Sequence, residues 1–310
     1  MKLTRRRYLL GMLATAVSPE LLARDGERRY LVAFAQDTLS NDYRAAQVRL
    51  LAERFAQEPG INFVFSDADG QTAKQIADIE EFVARKVDLL IVAPRDAKAM
   101  APVVTDAYRR GIPVVLISRR IEGDGYTSLV GPDDELIGEM AADFMGKRLH
   151  GKGAVMMIEG VPSASTAIAR SEGFRRGLRK YPGVRLVATK VGNYLRGDAI
   201  RAMEEMLGSG LDFDGLFAQS DSMAAGARLA LKKAGVAPAS KIIVGVDYIA
   251  EARKAILDGE QTASFVYPPC AEEVVEVCLG ILRGRKVTRR RLVSSRLVTR
   301  NEAISLPPIF

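Results

Sequence analysis

The sequence has no tryptophan, a single histidine and two cysteines in 310 residues. Each shortage removes a class of chemistry. Without Trp, an aromatic needed against a ligand face must be Tyr or Phe. With only His150, a histidine-rich metal site is excluded, and a Ser-His-Asp triad would have to be built on that one residue. His150 closes the polar stretch Lys147-Arg148-Leu149-His150-Gly151, where a helix ends, and reads as a solvated helix-end side chain. Cys270 and Cys278 fall eight residues apart in what reads as one helix. At roughly 1.5 Å rise per residue their Cα atoms are about 12 Å apart, too far for a disulfide. Both read as small buried hydrophobes. The chain also lacks Gly-x-Gly-x-x-Gly after its first strand and Gly-x-x-x-x-Gly-Lys-Ser/Thr, so a nucleotide-dependent enzyme would have no phosphate cradle. No metal-ligating cluster or activated nucleophile stands out, and neither a cofactor nor catalysis is expected.

What is present is ordinary globular material, with 48% apolar and 27% charged residues. The length suits two domains of about 150 residues each. Residues 1–23 read as a signal peptide. Their n-region, Lys2 to Arg7, is basic, and the apolar stretch Tyr8–Val17 is far short of the roughly 20 residues a spanning helix needs. Thr4-Arg5-Arg6-Arg7-Tyr8-Leu9-Leu10 resembles a twin-arginine export signal, though basic n-regions also serve the general secretory route. Cleavage after Ala23 is expected, which implies a periplasmic protein. This segment holds Lys2, Arg5, Arg6, Arg7 and Glu20, so it accounts for +3 of the net +7. The remaining +4 does not call for a nucleic-acid partner.

From Arg29 onward, apolar runs alternate with amphipathic stretches. Strands are expected at Tyr30–Ala35, Asn62–Asp67, Leu89–Ala93, Val114–Ile117, Ser128–Val130, Ala154–Glu159, Arg185–Val191, Leu216–Ala218, Ile242–Val246, Thr262–Val266 and Leu292–Val298. Helices between them include Tyr43–Gln57, Thr72–Arg85, Glu135–Leu149, Ser171–Lys180, Asp198–Leu207 and Met223–Ala234. Gly or Pro punctuates the joins, as at Pro59-Gly60 and Pro182-Gly183. Continuous apolar runs such as Leu89–Ala93 suit strands buried on both faces, and the alternation implies parallel sheets with right-handed crossovers. So many strands make two sheets, hence an α/β protein of two doubly wound lobes.

Ligands of open parallel sheets bind beyond the carboxyl ends of the strands. The segments there are Gln36-Asp37-Thr38, Pro94-Arg95-Asp96, Ser118-Arg119-Arg120, Gly160 to Arg170, Gly192-Asn193-Tyr194, Gln219-Ser220-Asp221, Asp247-Tyr248 and Tyr267-Pro268. Plain loops would carry more Gly, Ser and Lys and fewer Arg and Tyr. Together they read as a ligand cleft.

At these positions the chain resembles the ribose and galactofuranose class of periplasmic sugar-binding proteins. The likeness runs from about Tyr30 to Thr299. It rests on the Asp37–Ala46 loop with its Tyr43-Arg44 pair, on Ile112–Arg119, and on Val130–Asp134 followed by Gly138. It continues in Ala164–Phe174 and Phe217–Gly226, and closes with Val244–Asp247 and Ala263–Tyr267. No piece is decisive alone; seven in the right order are specific. The resemblance implies two lobes joined by a three-strand hinge. Residues 26–131 plus 268–294 form the N-terminal lobe, residues 132–267 plus 295–310 form the C-terminal lobe, and 1–25 are the leader. It implies capture of a sugar-like ligand by hinge closure and delivery to the permease of an ABC-type importer, with a sensor kinase or chemoreceptor as the alternative partner. A monomer is expected. Asp37, Asn41, Ser118 and Arg119 would line the first lobe, and Arg170, Ser220 and Asp247 the second. Tyr43 and Tyr194 would stack on or cap the ligand, Arg44 would follow Tyr43 into the site, and Tyr267 would sit near a hinge.

Structural roles compete at each position. Asp37 or Asn41 could cap the helix near Tyr43, Asp247 the helix after Tyr248, and Arg170 could be a surface residue. Asp221 reads as structural. The chain also departs from the ribose-type pattern: Ala93 and Ser220 replace Asn, and Ser118 replaces Asp. With Arg44, Arg119 and Arg170 retained, these losses suggest a larger or more anionic ligand, such as a sugar acid. The basic stretch from Arg283 to Arg300 reads as solvated surface rather than a docking face. A repressor effector domain would need a DNA-binding region of about 50–60 residues before the first lobe; about 28 precede it.

Overall fold

The computed structural model describes residues 29–310; the leader segment falls outside the described residues. The chain opens with β1 (Tyr30–Gln36), α1 (Asp42–Phe55), β2 (Ile61–Asp67), α2 (Thr72–Ala84), β3 (Leu89–Val92), α3 (Ala101–Arg109), β4 (Val114–Ile117) and β5 (Ser128–Gly131). It then crosses over and continues with α4 (Asp134–Arg148), β6 (Lys152–Glu159), α5 (Ser165–Leu178), β7 (Gly183–Val191), α6 (Arg196–Gly208) and β8 (Gly215–Ala218). Next come α7 (Asp221–Lys233), β9 (Ile242–Asp247), α8 (Ala250–Leu257) and β10 (Ala263–Val266). After a second crossing come α9 (Ala271–Leu282) and β11 (Arg290–Leu292), and after a third, β12 (Leu297–Val298) and α10 (Arg300–Ser305).

The strands form two six-stranded sheets, ordered β11-β5-β4-β3-β1-β2 and β12-β10-β9-β8-β6-β7. All pairings are parallel except the short β10–β12 contact. The architecture is therefore α/β with two doubly wound lobes. In the sequence, 292–298 reads as one strand; in the structure it is two. Arg290–Leu292 pairs with β5 in one sheet and Leu297–Val298 with β10 in the other. The residues between them make the third crossing: Val293 N still donates to the Gly131 carbonyl of the first sheet at 3.1 Å, and the Arg296 carbonyl already accepts from Val266 N of the second at 2.9 Å.

Helices cover both faces of each sheet, so the central strands lose all contact with water. Leu89, Leu90, Ile91 and Val92 have no exposed surface. Each contributes about 1.5–3 kcal/mol through burial. Separate apolar clusters fill the two sides of the first sheet, and another two flank the second. This places the polar strand ends on one side of each sheet, where the lobes face each other. Among the described residues no helix is long and apolar enough to cross a membrane.

Candidate ligand-binding site

Between the strand ends lies a space of about 460 Å³, counted with the solvent it opens to and lined from both sheets. Ten of the eleven residues expected from the sequence reach it: Asp37, Asn41, Tyr43, Arg44, Arg119, Arg170, Tyr194, Ser220, Asp247 and Tyr267. Ser118 does not. Its backbone is in the left-handed region, at φ 62°, which turns the side chain behind the first-lobe wall. There its hydroxyl accepts from Gln47 Nε2 at 3.1 Å. Thr38, Arg95, Val161, Thr166 and Asn193 complete the lining. All five lie in the strand-end segments that the parallel-sheet rule singles out; nothing in their types set them apart within those segments.

Asp37 is the centre of the first-lobe wall. It ends up buried because β1 is interior to its sheet and delivers its next residue into the cleft. Arg119 Nη1 donates to Asp37 Oδ2 at 2.7 Å. Arg44 Nε lies 3.5 Å from Asp37 Oδ1, and Arg95 Nη1 4.0 Å from Oδ2. The carboxylate that the sugar-binding pattern puts just before Arg119 is thus supplied by Asp37, two strands away. Asp37 Oδ1 and Arg119 Nε are buried without a hydrogen-bond partner. Burial and the Arg119 charge, against the pull of Asp37, bring Arg44 below the usual guanidinium range.

Asn41 has two roles. Its Oδ1 accepts from Arg44 N at 3.2 Å, capping α1, while Nδ2 donates across the cleft to the Tyr194 carbonyl at 2.7 Å. Ser220 likewise lines the space and caps α7 by accepting from Met223 N at 3.2 Å. Asp247 is not a cap, since α8 starts from Ile249 with no side-chain bond.

On the second-lobe wall, α5 begins at Ser165 rather than Ser171, so Arg170 is a helical residue and not a loop one. Nor is it on the surface. It is 3% exposed and donates through Nε to Asp134 Oδ1 at 2.9 Å and through Nη1 to the Gln219 carbonyl at 2.6 Å. The guanidinium lies 4.5 Å from the Tyr267 ring centre. Burial opposes its charge, but Asp134 keeps Arg170 protonated and above the ordinary guanidinium value. Asp134 reaches Arg170 because α4 and α5 nearly touch: a Cβ at Gly138 would sit 2.2 Å from the Arg170 carbonyl oxygen. Asp134 has no marker in the sequence beyond its place after the first crossing.

Aromatics close the ends. Tyr194 donates to or accepts from Thr166 Oγ1 at 2.9 Å, and its ring faces the Arg119 guanidinium at 5.5 Å. Only glycine fits beneath that ring, because a Cβ at Gly160 would fall 1.9 Å from it. Tyr43 donates to the Pro268 carbonyl at 2.9 Å, at the second crossing. It also meets Tyr267 edge-on at 5.5 Å.

Asp247 and Tyr248 both have positive φ, 119° and 64°. Such strained pairs persist only when neighbours hold them. Asp221 does so: Oδ2 accepts from Tyr248 N at 2.6 Å and Ser264 Oγ at 2.6 Å, and Oδ1 from Gln261 Nε2 at 2.8 Å. Burial, followed by the charge of Asp221, raises the Asp247 carboxyl well above its ordinary value.

The lobes touch around the cleft. Besides the Asn41 bond, Arg120 N donates to Ser165 Oγ at 2.9 Å, Ala97 N to the Ser163 carbonyl at 2.9 Å and Ser222 Oγ to Asp42 Oδ2 at 3.2 Å. Half of the basic C-terminal stretch is paired: Arg283 with Glu58, Arg289 with Asp124, Arg290 with Asp133 and Arg291 with Glu276.

A family model described as a periplasmic binding protein domain matches residues 32–286. Similar curated proteins include the ribose import binding protein of Salmonella typhimurium, 29% identical over 92% of this chain and 94% of that one. The galactofuranose-binding protein of Escherichia coli is 29% identical over 86% and 84%. Among solved structures, the fructose-binding periplasmic domain of a hybrid two-component system superposes with a TM-score of 0.84 at 28% identity, covering 89% of this chain and 92% of that one.

Proposed function

The chain belongs to the periplasmic binding protein family, and from that premise we propose that it captures one sugar-sized ligand by closing its two lobes. The observation that carries this reading is the cleft between the strand ends, with guanidinium, carboxylate, amide and tyrosine groups converging from both walls. That mixture suits a molecule with hydroxyls on its edge and a C–H face for an aromatic. Relatives named for ribose and galactofuranose, and neighbours solved with L-arabinofuranose and myo-inositol, support a small polyol. We assign residues 26–131 plus 268–294 to one moving lobe and 132–267 plus 295–310 to the other. The ten lining residues named above are the ligand contacts, and no reaction is catalysed there.

Export by residues 1–25 puts the protein in the periplasm as a monomer, where the closed form delivers its cargo to the permease of an ABC importer. The alternative is a sensor subunit reporting to a membrane kinase, favoured by the likeness to a fructose-binding domain of a hybrid two-component system. A thermal-shift screen of the mature chain against neutral sugars, sugar acids, polyols and amino acids tests the core of the proposal. A ligand that binds only the folded state raises Tm with occupancy. A saturable rise with a sugar or sugar acid supports it; a rise only with amino acids contradicts it.

A further inference from the structure

The charges around the cleft do not balance. Arg44, Arg95 and Arg119 share one carboxylate, Asp37. Across the cleft Arg170 is neutralised by Asp134 at 2.8 Å. Even with Asp37, Asp134 and Asp247 all ionised, four guanidiniums leave one positive charge in excess, and the excess is on the first-lobe wall. Two of the groups there have donors to spare. Arg119 Nε is buried without a hydrogen-bond partner. Arg95 has Asp37 as its one ionic partner among the described residues, and 4.0 Å is outside hydrogen-bonding distance. Its backbone is held by Gln75, whose Oε1 accepts from Arg95 N at 2.9 Å, and its guanidinium lines the cleft.

Resting on the reading of the cleft as a sugar site, we propose that the ligand is a sugar acid, a monosaccharide-sized polyol bearing one carboxylate. The carboxylate seats against Arg95 and Arg119 on the first-lobe wall. The hydroxyls turn to Asp247 and Asn193 on the second. A neutral sugar could satisfy the hydrogen bonds but would leave the excess positive charge of the first-lobe wall without a counter-charge. Asp37 Oδ1, buried and lacking a donor, fits a hydroxyl beside the carboxylate, as 2-hydroxy acids offer. Arg95 is then the residue that sets the preference for acids over neutral sugars.

Calorimetric titration of the mature chain with matched pairs, D-galacturonate against D-galactose and D-ribonate against D-ribose, tests this. The acid of at least one pair is expected to bind about tenfold or more tighter than its neutral partner, the worth of a charge-assisted hydrogen bond. Arg95→Gln should lower acid affinity about tenfold and narrow the acid-to-neutral ratio, while Arg95→Lys should keep the ratio above that of the Gln variant. Neutral sugars binding as tightly as their acids, or Arg95→Gln weakening both alike, would overturn the sugar-acid assignment and leave the sugar reading intact. Failure of every sugar and acid to bind would overturn both.

Discussion

Asp37 and Ser118 show how a site can keep its chemistry while its residues move. The sequence reads the serine before Arg119 as a lost carboxylate in the lining; the structure takes Ser118 out of the lining and gives Arg119 the carboxylate of Asp37 at 2.7 Å. Strand-end position was legible because most of the strands, β1, β3, β4 and β6 to β10, lead into the cleft. Which side chain turns inward was not, since it depends on local φ values such as the 62° at Ser118. Asp37→Asn leaves three arginines around a neutral amide. Removing one partner of a buried ion pair typically costs about 3–5 kcal/mol, so urea denaturation should show a loss of that order, together with much weaker ligand binding. Ser118→Ala should change ligand affinity by less than about twofold while costing about 1 kcal/mol of stability for its bond to Gln47.

At the scale of elements, the turn after β9 depends on neighbours from two sides. Asp221 at the start of α7 holds Tyr248 N, and the tail beyond α10 holds the other side: Tyr248 OH donates to the Leu306 carbonyl at 2.9 Å, and Ile309 N to the Tyr248 carbonyl at 3.1 Å. The structural reading of Asp221 agrees with these bonds, but the tail's part in the site has no local signal in the sequence. The late start assigned to α5 has a similar origin: Ala164–Ile168 looks like loop until its packing on α4 is known. Burial pushes the Asp221 carboxyl up to about 6 from an ordinary 3.8. The folded protein therefore holds a proton that the unfolded chain has released, and this group's contribution to stability falls as pH rises between about 4 and 6, by on the order of 3 kcal/mol. Urea midpoints measured across that window should show the decline, and Asp221→Asn should lessen it, the raised Asp247 carboxyl contributing in the same direction. The same tail sets Phe310 6.5 Å from Tyr43 of the other lobe. An aromatic pair contributes about 0.5–1.5 kcal/mol, so Phe310→Ala should speed ligand release roughly two- to tenfold in stopped-flow dissociation.

For the whole molecule, the two sheets, their order and the cleft between them follow from alternating apolar and amphipathic runs, and most of that was legible. The split of 292–298 between the sheets was not, because β-branched residues favour a strand without saying which sheet it joins. Asp37 Oδ1 and Arg119 Nε are buried without a hydrogen-bond partner, at a cost of about 1–3 kcal/mol each. A ligand that supplies those partners favours the closed arrangement over an open one. The direct test is interlobe distance. With fluorophores at exposed Lys86 in the first lobe and Lys233 in the second, energy transfer should change saturably on titration with the sugar or sugar acid found by thermal shift, with the same midpoint as binding. Saturable binding with no change in transfer would contradict a clamp that works by bringing its lobes together.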